Sequence, residues 1–256
     1  MRMRKRAAAA SAAALLVLSA GAVRAVEAVH VPDRSWSFEG LFGTFDRGAL
    51  QRGFQVYNQV CAGCHSARLL YYRNLQQIGF SEDQAKQIAA QKQVQDGPND
   101  EGEMFERPGT LTDRFVAPFP NEKAARAANN GALPPDLSLI VKARKGGADY
   151  LHALLTGYKN PPAGTELPQG MFYNAYFAGH NIAMPPPLSE GAVEYPGGVN
   201  ATVDQMAGDV SAFLAWAAEP EMEDRKRIGV KVLLFLLVLT GMLYAVKRKV
   251  WARVEH

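Results

Sequence analysis

The chain has 256 residues, a formal net charge of +3 and only 2 cysteines. With no second cysteine pair, a structural zinc site of the Cys-pair kind is excluded. The charge is unevenly divided: residues 1–25 carry five positive charges and residues 228–256 a net +4, which leaves −6 for residues 26–227. An acidic body argues against nucleic acid and suits a basic protein partner, approached by salt-dependent steering. The acids cluster at Asp96, Asp100, Glu101, Glu103 and Glu106, and again at Glu219, Glu221, Glu223 and Asp224, although either cluster also reads as plain solvated surface.

Arg2, Arg4, Lys5 and Arg6 precede an Ala/Leu/Val run from Ala7 to Ala20, with small residues near Ala22 to Ala28. This is the pattern of a secretory signal peptide over residues 1–25, and cleavage after Ala25 or after Ala28 fits equally. An uncleaved amphipathic anchor fits less well, because the run is apolar all round. Residues 26–227 form the exported body, of a length that suits one domain with a real core.

The body reads as mainly α, with long Pro/Gly-rich loops. A helix starts at Asp46–Leu50 and runs into residues 61–65, with Leu50, Phe54 and Tyr57 on one face. Ser81 is the N-cap of a second helix carrying Ala85, Ile88 and Ala89. Asn121–Asn130 is a third, closed by Gly131. Ala148–Tyr158 is a fourth, with Tyr150, Leu151, Leu154 and Leu155 on one face. Val203–Ala218 is a fifth, able to run on towards the C-terminal apolar segment. Loops span 96–120, 160–170 and 185–198, and beyond one short hairpin little reads as strand.

Ile228–Val246 is apolar apart from Lys231, and at about 1.5 Å per residue it matches the hydrocarbon thickness of a bilayer. Arg225-Lys226-Arg227 and Lys247-Arg248-Lys249 flank it, with Tyr244 and Trp251 as interfacial anchors. The reading is one C-terminal transmembrane helix, against the alternative of a buried core helix. The basic flanks barely discriminate orientation. The signal peptide does: the body lies outside and residues 247–256 in the cytoplasm.

Residues 61–65 read Cys-Ala-Gly-Cys-His, the attachment signature of c-type haem. Cys61 and Cys64 supply thiols for the two porphyrin vinyl groups, and His65 an axial nitrogen for the iron. A thioredoxin-like dithiol would want a βαβ setting, which Tyr57–Val60 does not offer. The signal peptide agrees, since haem is attached outside the cytoplasmic membrane. Candidates for the sixth ligand are Met104, Met171, Met184, Met206 and Met222, with His30, His152 and His180. Met206 has core spacing with Val203 and Val210, and Met222 stands among charges. Met184 precedes Pro185, Pro186 and Pro187, a stiff loop able to hold a thioether at low entropic cost, although gap filling explains a lone Met equally well. A methionine ligand raises the haem potential and closes the iron to small ligands, which points to electron transfer.

Taken together, these blocks resemble the cytochrome c1 family, the haem subunit of quinol–cytochrome c oxidoreductase (the cytochrome bc1 complex). The resemblance runs from about Trp36 through the membrane segment. It rests on Arg52–Tyr57 before the Cys61–His65 motif, Asp96–Asn99 with Gly102–Phe105, Ala127–Leu137, Arg144–Tyr150, the Met184 loop, Trp216–Pro220 and Arg225–Arg227. It implies Met184 as the sixth ligand of one covalently bound haem c, and a haem environment that includes Asn129, Pro134, Pro135, Arg144 and Tyr150. Arg144 has its own rationale, since a guanidinium fork suits a propionate carboxylate. Some bacterial members carry a further Cys pair near the Met loop; here the loop must be held by packing and prolines alone.

The resemblance further implies an electron taken from the Rieske iron–sulfur protein and passed to a basic c-type cytochrome, with the anchor beside cytochrome b in the bacterial inner (cytoplasmic) membrane and the haem domain on the periplasmic side. No acid, base or nucleophile is required of the protein. The rival readings are a free-standing membrane-tethered cytochrome c and a haem enzyme or gas sensor with an open sixth position.

Overall fold

A computed structural model describes residues 29–253 of the chain. The expected signal peptide lies outside these residues. Of these, residues 31–253 belong to one compact unit.

Asp46 opens α1 (Arg47–Gln59) by accepting from the amides of Gly48 and Ala49. The expected apolar stripe is the buried one: Leu50, Phe54 and Tyr57 face the core. The helix stops at Val60, and a separate 3₁₀ turn, Cys61–Gly63, carries the motif. A second 3₁₀ segment, Tyr72–Ile78, was not expected. Tyr72, Leu75 and Ile78 recur every three residues and all are buried, the period that a three-residue turn aligns on one face.

Helix α2 (Glu82–Ala90) has a reciprocal capping box between Ser81 and Gln84. The loop expected at 96–120 is instead opened by an antiparallel hairpin whose first strand precedes it, β1 (Gln93–Asp96) with β2 (Phe105–Pro108), paired Gln93 to Pro108 and Asp96 to Phe105. Arg107 ties it together by donating to Asp96 and, at 2.7 and 2.9 Å, to both oxygens of Asp113. Helix α3 (Glu122–Ala128) is capped by Asn121, α4 (Ile140–Ala143) is a single turn, and α5 spans Gly147–Thr156. The core-facing residues of α5 are Ala148, Leu151 and Ala153, with Tyr150, Leu154 and Leu155 half-buried around them. A second hairpin, β3 (Phe172–Tyr173) with β4 (Asn181–Ile182), leads into the Met184 loop.

Helix α6 (Val203–Ala218) is the centre of the body, packed by α1 on one side and by α4 and α5 on another. Phe213 meets Phe54 at 5.8 Å, Tyr57 at 5.7 Å and Trp216 at 5.6 Å between ring centroids. Across the α1–α6 crossing Arg52 donates twice to Asp209, at 2.9 and 3.0 Å, and the Asp209 side chain is only 3% exposed. Met206 is fully buried, as its spacing predicts.

Helix α6 does not run on into the anchor. Glu219 leaves helical geometry and Pro220 follows, so α7 (Met222–Trp251) begins anew. Met222, expected among solvated charges, is buried in the core at 5% exposure because the first turn of α7 folds back onto the body. From Ile228 onwards α7 exposes its apolar side chains, Leu237 at 71%, which rules out the core-helix alternative. The fold is therefore mainly α, with one C-terminal helix long and apolar enough to cross a membrane.

Candidate functional site

On the Cys61–Gly63 turn, the amides of Cys64 and His65 both donate to the Cys61 carbonyl, at 3.1 and 2.9 Å. Cys61 is half-buried, Cys64 exposed, and neither is in a disulfide. Burial, helped by the adjacent Cys64 thiol, pushes the Cys61 thiol up to about 12.

The carbonyl of Pro135 lies 2.8 Å from Nδ1 of His65. A carbonyl only accepts, so Nδ1 carries the proton and Nε2 keeps its lone pair. Burial depresses the imidazole pKa against the opposing pull of the Pro135 bond and Asp136, which favours the neutral ring that a metal requires. Pro135 is itself positioned by the next residues. Asp136 accepts from Ser66 Oγ (2.8 Å), the Arg68 amide (2.9 Å) and the Ser138 amide (2.9 Å), while the Leu137 amide donates to Ser66 (2.7 Å). Burial acts to raise the Asp136 pKa, but these donors outweigh it and hold the carboxylate ionised. The segment after the motif and the segment after Pro135 are thus stitched into one wall.

That wall borders a cleft of about 420 Å³ lined by Arg68, Leu69, Pro135, Asp136, Leu139, Ile140, Ala143 and Arg144, a size within the range of small-molecule and cofactor sites. Of the predicted environment, Pro135 and Arg144 line it. Tyr150 stands behind Arg144: burial raises its phenol pKa and the nearby guanidinium partly offsets that. Pro134 is half-buried one residue from the lining. Asn129 is engaged elsewhere, its side-chain amide donating to the Ala125 carbonyl (2.7 Å) at the end of α3.

Met184 is half-buried, and the phenol of Tyr158 donates to its carbonyl at 3.1 Å. The hairpin before it is fixed by Asn174, which is fully buried. Asn174 donates to the Leu154 carbonyl (2.7 Å) and accepts from the amides of Tyr176 (3.0 Å) and Phe177 (3.2 Å). The loop is therefore held by hydrogen bonds to the end of α5 as well as by packing and prolines. Burial, with a smaller contribution from Tyr150, raises the Tyr158 phenol pKa and keeps it a donor. Met104 and Met171 are exposed. The sequence reading missed Asp136, Ser138, Tyr158 and Asn174; the sole signal was that Asp136 follows two prolines in an otherwise apolar stretch.

In chemical kind the donors present, two unpaired thiols and an imidazole with a free Nε2 on one turn and a thioether on a braced loop, suit a haem. Among the described residues no cluster of three or more His, Cys, Asp or Glu could hold a bare metal ion. The Cytochrome C1 family model matches residues 36–254. The chain belongs to the cytochrome c1 family. It is 47% identical to "Cytochrome c1" of Rhodospirillum rubrum over 261 residues, covering 95% of this chain and 96% of that protein. It is 54% identical over 212 residues to "Cytochrome c1-2, heme protein, mitochondrial" of Solanum tuberosum, covering 83% of this chain and 82% of that one. Identity to "Cytochrome b-c1 complex catalytic subunit, mitochondrial" of Candida albicans is 49% over 241 residues, with 93% and 84% covered. Every residue placed at the site of this cytochrome c1 family member lies inside the matched span.

Proposed function

We propose that this chain is the haem-bearing electron-transfer subunit of a cytochrome bc1 complex, taking electrons from a Rieske iron–sulfur protein and passing them to a basic c-type cytochrome. The observation that carries this reading is the Cys61–His65 turn, with its two unpaired thiols and a His65 tautomer set by the Pro135 carbonyl. Cys61 and Cys64 would attach one haem c, and His65 and Met184 would be its axial ligands. When bound, that group supplies a one-electron redox couple.

The remaining tasks belong to the protein. Pro135 orients His65 and raises its basicity through the Nδ1 bond. Tyr158 restrains Met184. Arg144 offers a guanidinium to a propionate across the cleft wall. Asp100, Glu101, Glu103 and Glu106 stay on an exposed hairpin and suit a basic acceptor, whereas Glu219, Glu223 and Asp224 are committed to internal ion pairs with Arg225, Arg47 and Arg227. The domain scheme is a signal peptide over 1–25, a periplasmic body over 26–227, a span over 228–246 beside cytochrome b, and a cytoplasmic tail over 247–256.

A free-standing tethered carrier is disfavoured by the connection between body and anchor. Only Glu219, Pro220 and Glu221 separate α6 from α7, so no flexible tether gives the body reach. The test is to purify the tagged chain from membranes in mild detergent and record its reduced-minus-oxidised spectrum. Co-purifying b-type haem, a Rieske cluster and quinol-dependent cytochrome c reduction are expected; c-type haem alone would favour the carrier. For the sixth ligand, Met184→Leu should retain covalent haem and lower its midpoint potential steeply, and an unchanged potential would exclude Met184.

A further inference from the structure

The first turns of α7 are gripped by a loop from the start of the body. The amide of Thr44 closes this loop by donating to the Ser37 carbonyl at 3.0 Å. At its base, Nζ of Lys226 donates to the carbonyls of Phe38 (2.7 Å) and Gly43 (3.1 Å). Lower down, Glu223 accepts from the Phe45 amide (2.7 Å) and from Arg47 (2.7 Å). Phe38 packs on Phe45 and Trp36, with centroids at 4.9 and 5.5 Å. The closure is tight: a Cβ at Gly43 would stand 1.9 Å from the Glu39 carbonyl oxygen.

At the apex of this stiff loop are two large apolar side chains turned outward, Leu41 at 58% exposure and Phe42 at 81%. The contacts climb the helix as the loop is followed towards its apex. Phe45 is at the level of Glu223, and Gly43 at that of Lys226. Lys226 lies about 3 Å of helix rise before Ile228, where the apolar run begins. Gly229 and Val230, on the face carrying Glu223 and Lys226, are half-buried. The apex therefore stands at the level where α7 passes from a water-facing to a lipid-facing sequence, and what solvates Ile228 and Val232 solvates Leu41 and Phe42.

We propose that the Leu41–Phe42 apex is a second membrane contact, inserted into the interfacial layer of the bilayer beside the spanning helix. It rests on the reading of α7 as a membrane span. An aromatic and a leucine on a short rigid projection are the residue types that partition into the headgroup–acyl boundary, and the hydrogen-bonded base means that little conformational freedom is lost on insertion.

The test uses the haem-loaded full chain. With Cys61 and Cys64 consumed by the haem, Phe42→Cys provides a single reactive thiol for a nitroxide label. Glu101→Cys on the exposed hairpin serves as a water reference and Leu237→Cys as a mid-span reference. The protein is reconstituted into phosphatidylethanolamine–phosphatidylglycerol vesicles, and the accessibility of each label to oxygen and to a water-soluble nickel chelate is measured by power saturation. The expected oxygen-to-nickel ratio at position 42 is several-fold above that at 101 and below that at 237. A ratio at 42 equal to that at 101, with 237 lipid-like, overturns the inference alone. Low accessibility to both reagents at 42 also overturns it, because protein and not lipid then covers the apex. A water-like label at 237 removes the span, and the inference with it.

Discussion

Gly53 is the point where α1 and α6 touch backbone to backbone. A Cβ at this position would stand 2.0 Å from the Asp209 carbonyl oxygen, 2.6 Å from its carbonyl carbon and 2.7 Å from Phe213 Cβ. Carbon–oxygen contacts settle near about 3.3 Å, so Gly53→Ala must open the crossing by more than ~1 Å. The obstacle is helix backbone, which cannot rotate aside as a side chain can. Overpacking costs about 1–3 kcal/mol, and this site belongs at the upper end. Replacing a helical glycine with alanine returns about 1 kcal/mol of helix propensity, leaving a net loss of ~2 kcal/mol. In a chain of this size that corresponds to a fall in Tm of about 4–8 °C. Gly208→Ala is the internal control: it lies one residue from Asp209 in the same helix, but its nearest obstacle is the Arg34 guanidinium at 3.2 Å, the far end of a flexible side chain. Its Tm should not fall, and should rise by up to about 2–4 °C from the same propensity gain, less whatever the displaced Arg34 guanidinium gives up. Thermal unfolding of the detergent-solubilised holoprotein, followed by near-ultraviolet and Soret circular dichroism, reads both. Equal tolerance of the two substitutions would refute backbone contact at Gly53 as the determinant of the crossing.

Tyr158→Phe removes the donor to the Met184 carbonyl and should weaken the loop by about 1 kcal/mol, seen as increased carbon monoxide binding to the ferrous protein; unchanged binding would show that the prolines alone suffice. Arg52→Ala strands the buried Asp209 carboxylate and should cost about 3 kcal/mol, whereas Arg52→Met combined with Asp209→Leu should recover most of it in denaturant titrations. Glu219 is held at about 2, below its ordinary 4.5, chiefly by Arg225 and then by Lys142. A depressed carboxylate pKa contributes stability above the unfolded value that is lost as pH falls through the folded one, so this ion pair's contribution should be lost between about pH 4.5 and 2. Glu219→Gln should flatten that acid limb, and an unaltered limb would assign it to other carboxylates.

Elements announced by local chemistry were legible in the sequence. The Leu50, Phe54 and Tyr57 stripe, the Ser81 capping box and the apolar run after Ile228 each rest on residues within a few positions of one another. The Cys61–His65 motif was legible for the same reason, since its five residues are contiguous. Hairpin β1–β2 was not, because its strands are only four residues long, none of those residues is buried and β2 does not alternate; it is tied by Arg107, whose partners Asp96 and Asp113 lie on either side of it in the sequence. Asp136 and Tyr158 were also illegible in kind. An acid after prolines and a tyrosine after a helix are ordinary residues until folding brings them to Ser66 and to the Met184 carbonyl. The break at Glu219 was open to either reading, because Pro220 tolerates a first-turn position as readily as it ends a helix.

The grip of the body on α7 has a mechanical consequence. With Met222 in the core, Glu223 and Lys226 bonded to the loop before α1, and Arg225 paired with Glu219, the anchor and the globular part turn together as one lever. Helix tilt in a bilayer responds to hydrocarbon thickness. In this molecule such a tilt cannot be absorbed at a hinge, so bilayer thickness would set the attitude of the cleft above the membrane, and a few degrees at the pivot become ångströms of displacement at the far end of the body.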